Sequence, residues 1–138
     1  MKRKRSIFVG LVVLLMAAGF LCTTGALAAD MFPCAPDDKL EKDIGAGAEL
    51  AEFSCYFDRW EGEEVLHMKV GVKNTGDSDQ RFRVNIFLDN GKAVGGLIPR
   101  TTKKGLVKPG ETATFTYPVK SMTEKPGSVM LKISTAGK

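Results

Sequence analysis

Val65-Leu66-His67-Met68-Lys69-Val70-Gly71-Val72-Lys73 and Arg81-Phe82-Arg83-Val84-Asn85-Ile86-Phe87-Leu88-Asp89 are the stretches that decide the fold class. Side chains on an extended chain point to opposite faces in turn, so a strand with one face on a core reads apolar, polar, apolar. In the first stretch Leu66, Met68, Val70 and Val72 share one face, while His67, Lys69 and Lys73 share the other. In the second, Phe82, Val84, Ile86 and Leu88 oppose Arg81, Arg83 and Asn85. Antiparallel sheets that are wet on one side have this texture.

The same alternation extends outward in both directions. Residues 49–58 read as the first strand, with Phe53, Cys55 and Phe57 inward and Leu50 and Tyr56 on the far face. Trp60 and the acidic run Glu61-Gly62-Glu63-Glu64 read as a loop, and Asn74-Thr75-Gly76-Asp77 as a turn. Asn90-Gly91 signals a two-residue hairpin of the primed type, returning through Lys92-Ala93-Val94. Gly95-Gly96 predicts an end or a bulge, after which Leu97-Ile98 continues to Pro99. Residues 100–108 form a polar loop in which Leu106-Val107 dips inward, and Lys108-Pro109-Gly110-Glu111 forms a turn. Residues 112–119 are a strand facing Ala113, Phe115 and Tyr117 inward, with Pro118 ending it or marking a sheet edge. Residues 121–127 are a loop, and Val129-Met130-Leu131-Lys132-Ile133 is the last strand. Strands this short and this evenly spaced predict an all-β fold, an immunoglobulin-like antiparallel β-sandwich of about seven strands.

The front of the chain has a different character. Lys2 to Arg5 are basic, Ile7 to Leu21 are apolar, Thr23-Thr24-Gly25 breaks the run, and Ala26-Leu27-Ala28 has the small-x-small form of a signal cleavage site. Residues 1–29 are therefore read as a secretory signal, residues 30–47 as a flexible leader and residues 48–138 as the sandwich domain. Alternatively, the uncharged stretch before Asp30 is long enough to remain as a membrane anchor. A lipid-attachment role for Cys22 fits poorly, because Phe20-Leu21 stands where small residues are wanted. The formal charge of +4 comes entirely from the four basic residues near the start; beyond them 16 basic residues face 16 acidic ones. Such a neutral domain has no excess charge with which to displace counterions from nucleic acid.

If the signal leaves with Cys22, two cysteines remain, Cys34 and Cys55. In an oxidising compartment they are expected to form a structural disulfide, with two free thiols as the alternative. Pro33 and Pro36 keep the leader irregular, and Asp37-Asp38 opens a short helical turn. The leader is a candidate cover for an exposed sheet edge.

A resemblance follows from the turns. Val70-Gly71-Val72-Lys73-Asn74-Thr75-Gly76-Asp77, the hairpin tip Asp89-Asn90-Gly91-Lys92 and the turn Val107-Lys108-Pro109-Gly110-Glu111-Thr112 resemble those of small bacterial immunoglobulin-like domains. The similarity is to the cell-adhesion-related (CARDB) and FxLYD types and spans about residues 48–134. It implies an extracytoplasmic binding or spacer module and assigns no catalytic residue.

Candidate chemistry is sparse. His67 is the single histidine, which leaves too few ligands for a blue-copper site or a histidine-rich metal centre. An exposed strand histidine is the simpler reading. Glu61, Glu63 and Glu64 cluster as a solvated acidic loop would, and no nucleotide or haem motif is present, so no cofactor is expected. Two features could serve recognition. Arg100, Lys103, Lys104 and Lys108 form a basic loop, and Trp60 with Tyr56 could anchor an interface; otherwise the loop is solvated and Trp60 plugs one end of the sandwich. The expected function is a non-enzymatic periplasmic or secreted module that binds another protein as an accessory or assembly subunit, by surface complementarity or strand addition. A module for carbohydrate or surface polymers is the alternative, and a small metal carrier or enzyme a distant one.

Overall fold

The computed structural model describes residues 29–101, 103 and 105–137. All but the last residue of the expected signal at residues 1–29, Cys22 included, lies outside the described residues, as does Lys104. Seven strands follow in chain order: β1 (Leu40–Ile44), β2 (Ala48–Trp60), β3 (Glu63–Asn74), β4 (Arg81–Leu88), β5 (Ala93–Ile98), β6 (Thr112–Pro118) and β7 (Val129–Gly137). They build two sheets, one in the order β1-β7-β4-β5 and one in the order β2-β3-β6. The expected β-sandwich is what forms.

The core lies where alternation puts it. Leu66, Met68, Val70 and Val72 of β3 have no exposed surface, nor do Phe82, Val84 and Ile86 of β4. Leu131 and Ile133 of β7 join them from the centre of the four-stranded sheet. Each such side chain stabilises the fold by ~1.5–3 kcal/mol relative to exposure. Ala113, Phe115 and Tyr117 of β6 face the same interior. Val107 also dips inward as expected, forming a bridge with Gln80.

Several local expectations are corrected. The leader is not merely irregular: after a 3₁₀ turn at Asp37–Lys39, β1 pairs in parallel with β7, the one exception to antiparallel pairing. Only Leu40 and Ile44 of β1 are partly buried, and Glu41, Lys42 and Asp43 are exposed. Two apolar residues at the ends of a polar run are too faint a pattern to read. β1 is held by the ladder to β7, with Leu40 and Ile44 alone packed on the core.

Trp60 to Glu64 is no loop. Trp60 pairs with Glu63 across a two-residue turn in which Glu61 (φ 49°) and Gly62 (φ 85°) both take positive φ. That is the primed geometry that matches strand twist. The Asn90-Gly91 hairpin, conversely, is not of that kind. Leu88 N donates to Lys92 O at 2.9 Å and Gly91 N to Leu88 O at 3.1 Å. Gly91 has φ 82°, whereas Asn90 is not in the positive region. The tip is therefore a three-residue loop, a type I turn closed by a glycine bulge.

Leu50 was expected on the outer face, yet it packs on the core with Phe53. A bulge between Leu50 and Glu52 adds one residue and reverses the phase of everything before it. Gly95-Gly96 neither ends nor bulges β5, since Asn85 pairs with Gly95 and Val84 with Gly96 without interruption. Glycine is required at 95 by close approach: a Cβ there would collide with the Val84 carbonyl oxygen.

Asn74 is not a positive-φ turn residue but the buried last residue of β3. Its Nδ2 donates to Ser78 O at 2.8 Å and Val107 O at 2.9 Å, and its Oδ1 accepts from Gly76 N at 2.9 Å. One amide thus ties together two loops at this end of the sandwich. His67 is likewise buried, at 8 % exposure, where an exposed strand position was expected. Its ring stacks on Tyr56 (5.1 Å between centroids, 15° between planes). Its Nδ1 lies 3.0 Å from Val65 O. A carbonyl can only accept, so Nδ1 carries the proton.

Candidate functional site

The two lateral sides of the sandwich are built differently. On one side β1 runs directly into β2, and the chain before β1 is fastened to β2 as well. Phe32 N donates to Cys55 O at 2.8 Å, and Cys55 N donates to Phe32 O at 2.9 Å. Cys34 and Cys55 form the expected disulfide, with Cα atoms 5.0 Å apart across a separation of 21 residues. Both half-cystines are buried in the core. The Phe32 ring packs against Phe57 at 5.5 Å, and Lys125 Nζ lies 4.3 Å from its centroid. The leader thus adds β1 as the outer strand beside β7 and bridges β2 at Cys55 alone, on the side away from β5 and β6.

On the other side β5 and β6 are outer strands of opposite sheets and do not pair with each other. Between them runs a cleft of about 310 Å³. Trp60, Val94, Arg100, Phe115, Tyr117 and Pro118 are among the residues that line it. Phe115 and Tyr117 pack as a tilted pair with centroids 4.8 Å apart, and the Arg100 guanidinium lies 5.6 Å from the Phe115 centroid. Arg81 positions that arginine through the backbone. Its Nε donates to Pro99 O at 3.0 Å and its Nη2 to Arg100 O at 2.7 Å, fixing the start of the loop after β5.

Tyr117 is the electrostatic anomaly of the site. Its hydroxyl is buried and has no hydrogen-bond partner. Burial pushes its pKa up from 10.0 to about 12, while the positive charge of Arg100 pulls the other way. Leaving a buried polar group unpaired costs on the order of 1–3 kcal/mol, so this hydroxyl is a standing penalty in the free protein.

The structure therefore divides the residues singled out from the sequence. Trp60 and Arg100 line one cleft. Tyr56 does not join them: it stacks on His67, and on an extended strand it lies ~13 Å from Trp60, too far for a shared aromatic platform. Lys103 and Lys108 are exposed and take no part in lining the cleft, while Lys104 lies outside the described residues. Sequence reasoning missed the importance of Tyr117, Phe115 and Arg81. The first two were read correctly as inward-facing, but nothing in a strand pattern tells which inward residues end beneath an unclosed side. Among the described residues no three His, Cys, Asp or Glu side chains gather as a metal-ligand cluster. No helix among them is long and apolar enough to cross a membrane. The cleft brings together apolar walls, one guanidinium and one phenol.

A seven-stranded β-sandwich with a disulfide-stapled leader on one side and a cleft between outer strands on the other is the class that fold and site define. Comparison with family models, with curated proteins and with solved structures found no match.

Proposed function

We propose that the protein is an exported, non-enzymatic module of the bacterial periplasm or cell envelope that binds another protein, as an accessory or assembly subunit, through its β5–β6 side. The observation that carries this reading is the β5–β6 side, where two outer strands that do not pair with each other flank an apolar cleft, away from the disulfide-stapled leader. Unpaired strand edges are templates for added strands, and aromatic anchors with arginine are the usual centres of protein interfaces. Export is supported by the basic-apolar-small order of the first residues and by a disulfide that suits an oxidising compartment. The resemblance of the turn motifs to those of CARDB and FxLYD domains supports the same reading.

The test is site-specific photo-crosslinking in the native envelope. A crosslinking side chain at Leu97, on the rim of the cleft, is expected to trap a discrete protein adduct; the same group at Lys108 is expected to trap none. Adducts from neither position, or equally from both, would overturn the proposal.

A further inference from the structure

The cleft also carries information about the chemistry of its occupant. β5 contributes four consecutive residues to the wall, Val94-Gly95-Gly96-Leu97, and it pairs with β4 alone. Two of the four carry no side chain, so another backbone can come close to that edge. β6 is a poorer template, since Pro118 at its end has no N–H to offer. The cleft lies along the two strands, which suits an extended chain better than a compact ligand.

The polar groups restrict the occupant further. Arg100 has no carboxylate within ion-pair distance among the described residues. Tyr117, whose hydroxyl is unpartnered, lines the same cleft, and the arginine's charge acts on it. Both groups are hydrogen-bond donors to an anion, and a carboxylate can accept from both at once. The hydroxyl is sealed from solvent, so a lining side chain must swing to admit a partner. Arg100 is suited to this, because its side chain rests on Phe115 and makes no side-chain hydrogen bond among the described residues.

We infer that the cleft receives an extended segment of the partner protein that pairs with the free edge of β5 and places an acidic side chain between Arg100 and the Tyr117 hydroxyl. Its alternate apolar side chains pack on Phe115 and against Trp60. This inference rests on the proposed protein-binding function and specifies the ligand of the same site.

The experiment uses the disulfide-bonded protein and a display library of random linear peptides. Trp60 is the single tryptophan of the chain, so its fluorescence reports occupancy of the cleft directly. Selected peptides are expected to share one Asp or Glu flanked at alternate positions by apolar residues, and to change Trp60 emission on binding. The R100A variant should weaken binding roughly tenfold or more, as should Glu→Gln in the peptide, and the two losses should not add. R100K should recover part of the loss, and unchanged urea midpoints show that the variants remain folded. Peptides without an acidic position, full binding to R100A or silent Trp60 emission would each overturn the inference. So would dodecanoate binding as tightly as the best peptide, which would mark a site for small amphiphiles. A partner still crosslinked at Leu97 in the R100A protein with undiminished yield would sink this inference while leaving the proposed function standing.

Discussion

Replacing Asn74 tests the account of how the loops are held at one end of the sandwich. Asn74 has no exposed surface, and its amide makes three hydrogen bonds, to Ser78 O, Val107 O and Gly76 N. In N74A all three are lost and nothing fills the space. Val107 O keeps one partner, since it also accepts from Gln80 N at 2.9 Å. Ser78 O and Gly76 N lie in part-buried bonds and can turn partly to water. A net value of about 1 kcal/mol per bond then gives a destabilisation of ~3 kcal/mol, a large share of the stability of a domain this small. N74D is the sharper perturbation. It keeps the acceptor for Gly76 N but sets a buried carboxylate oxygen against two carbonyl oxygens, so it should cost more than N74A near neutral pH. The folded protein holds that carboxyl's pKa above its unfolded value. The excess cost of N74D is therefore largest above the folded pKa and shrinks as pH falls through it, because the protonated acid can donate again. The N74A deficit should change little over the same window. Urea unfolding with linear extrapolation, near neutral pH and about two units lower, measures both. A cost below ~1 kcal/mol for N74A, or equal costs for the two variants at both pH values, would refute the reasoning.

Further outcomes are expected elsewhere in the molecule. Y117F removes an unpaired buried hydroxyl and should leave the free protein as stable as before or up to ~1 kcal/mol more stable in thermal unfolding. Because the folded-state pKa of Tyr117 is raised from 10.0 to about 12, its contribution to stability is complete below pH 10 and is lost as pH climbs towards 12. An alkaline unfolding series should show that loss in the wild type and not in Y117F. Reducing the Cys34–Cys55 bridge opens a loop of 21 residues and should cost about 3 kcal/mol on the chain-entropy model, read as a lower urea midpoint with reductant present. G95A should destabilise by ~1–3 kcal/mol, since the added methyl meets the Val84 carbonyl oxygen and β5 must shift away from β4. A midpoint unchanged by G95A would mean that β5 is free to move there.

The parts of the fold that sequence reasoning recovered are those where one face of a strand is buried and the other wet. β3 and β4 are of this kind, and so is the inward set of β6. Reasoning failed where backbone rather than side chains decides. β1 has two partly buried residues and is held by ladder bonds, so it carries almost no apolar signal. The bulge before Glu52 shifts the phase of Leu50 by one residue, which no alternating pattern can foresee. Glu61-Gly62 lacks the Asn or Asp that usually marks a primed turn, whereas Asn90-Gly91 has it and makes a longer loop. The site was half legible. Trp60 and Arg100 were picked out as rare or charged residues in the chain, and both line the cleft. That Tyr56, Lys103 and Lys108 stand apart from them follows from register and loop path, which are tertiary facts.

The disulfide has a mechanical consequence. β1 and β7 run in parallel, so tension drawn from the N-terminal end of one and the C-terminal end of the other would load their ladder in shear, all five paired positions together. The bridge alters that path. β1 lies wholly inside the loop closed by Cys34 and Cys55, and a pull arriving from upstream of Cys34 crosses the sulfurs into the middle of β2. Oxidised, the first strand is relieved of the load and the force enters the opposite sheet; reduced, the same tug peels or slides β1 from its neighbour first.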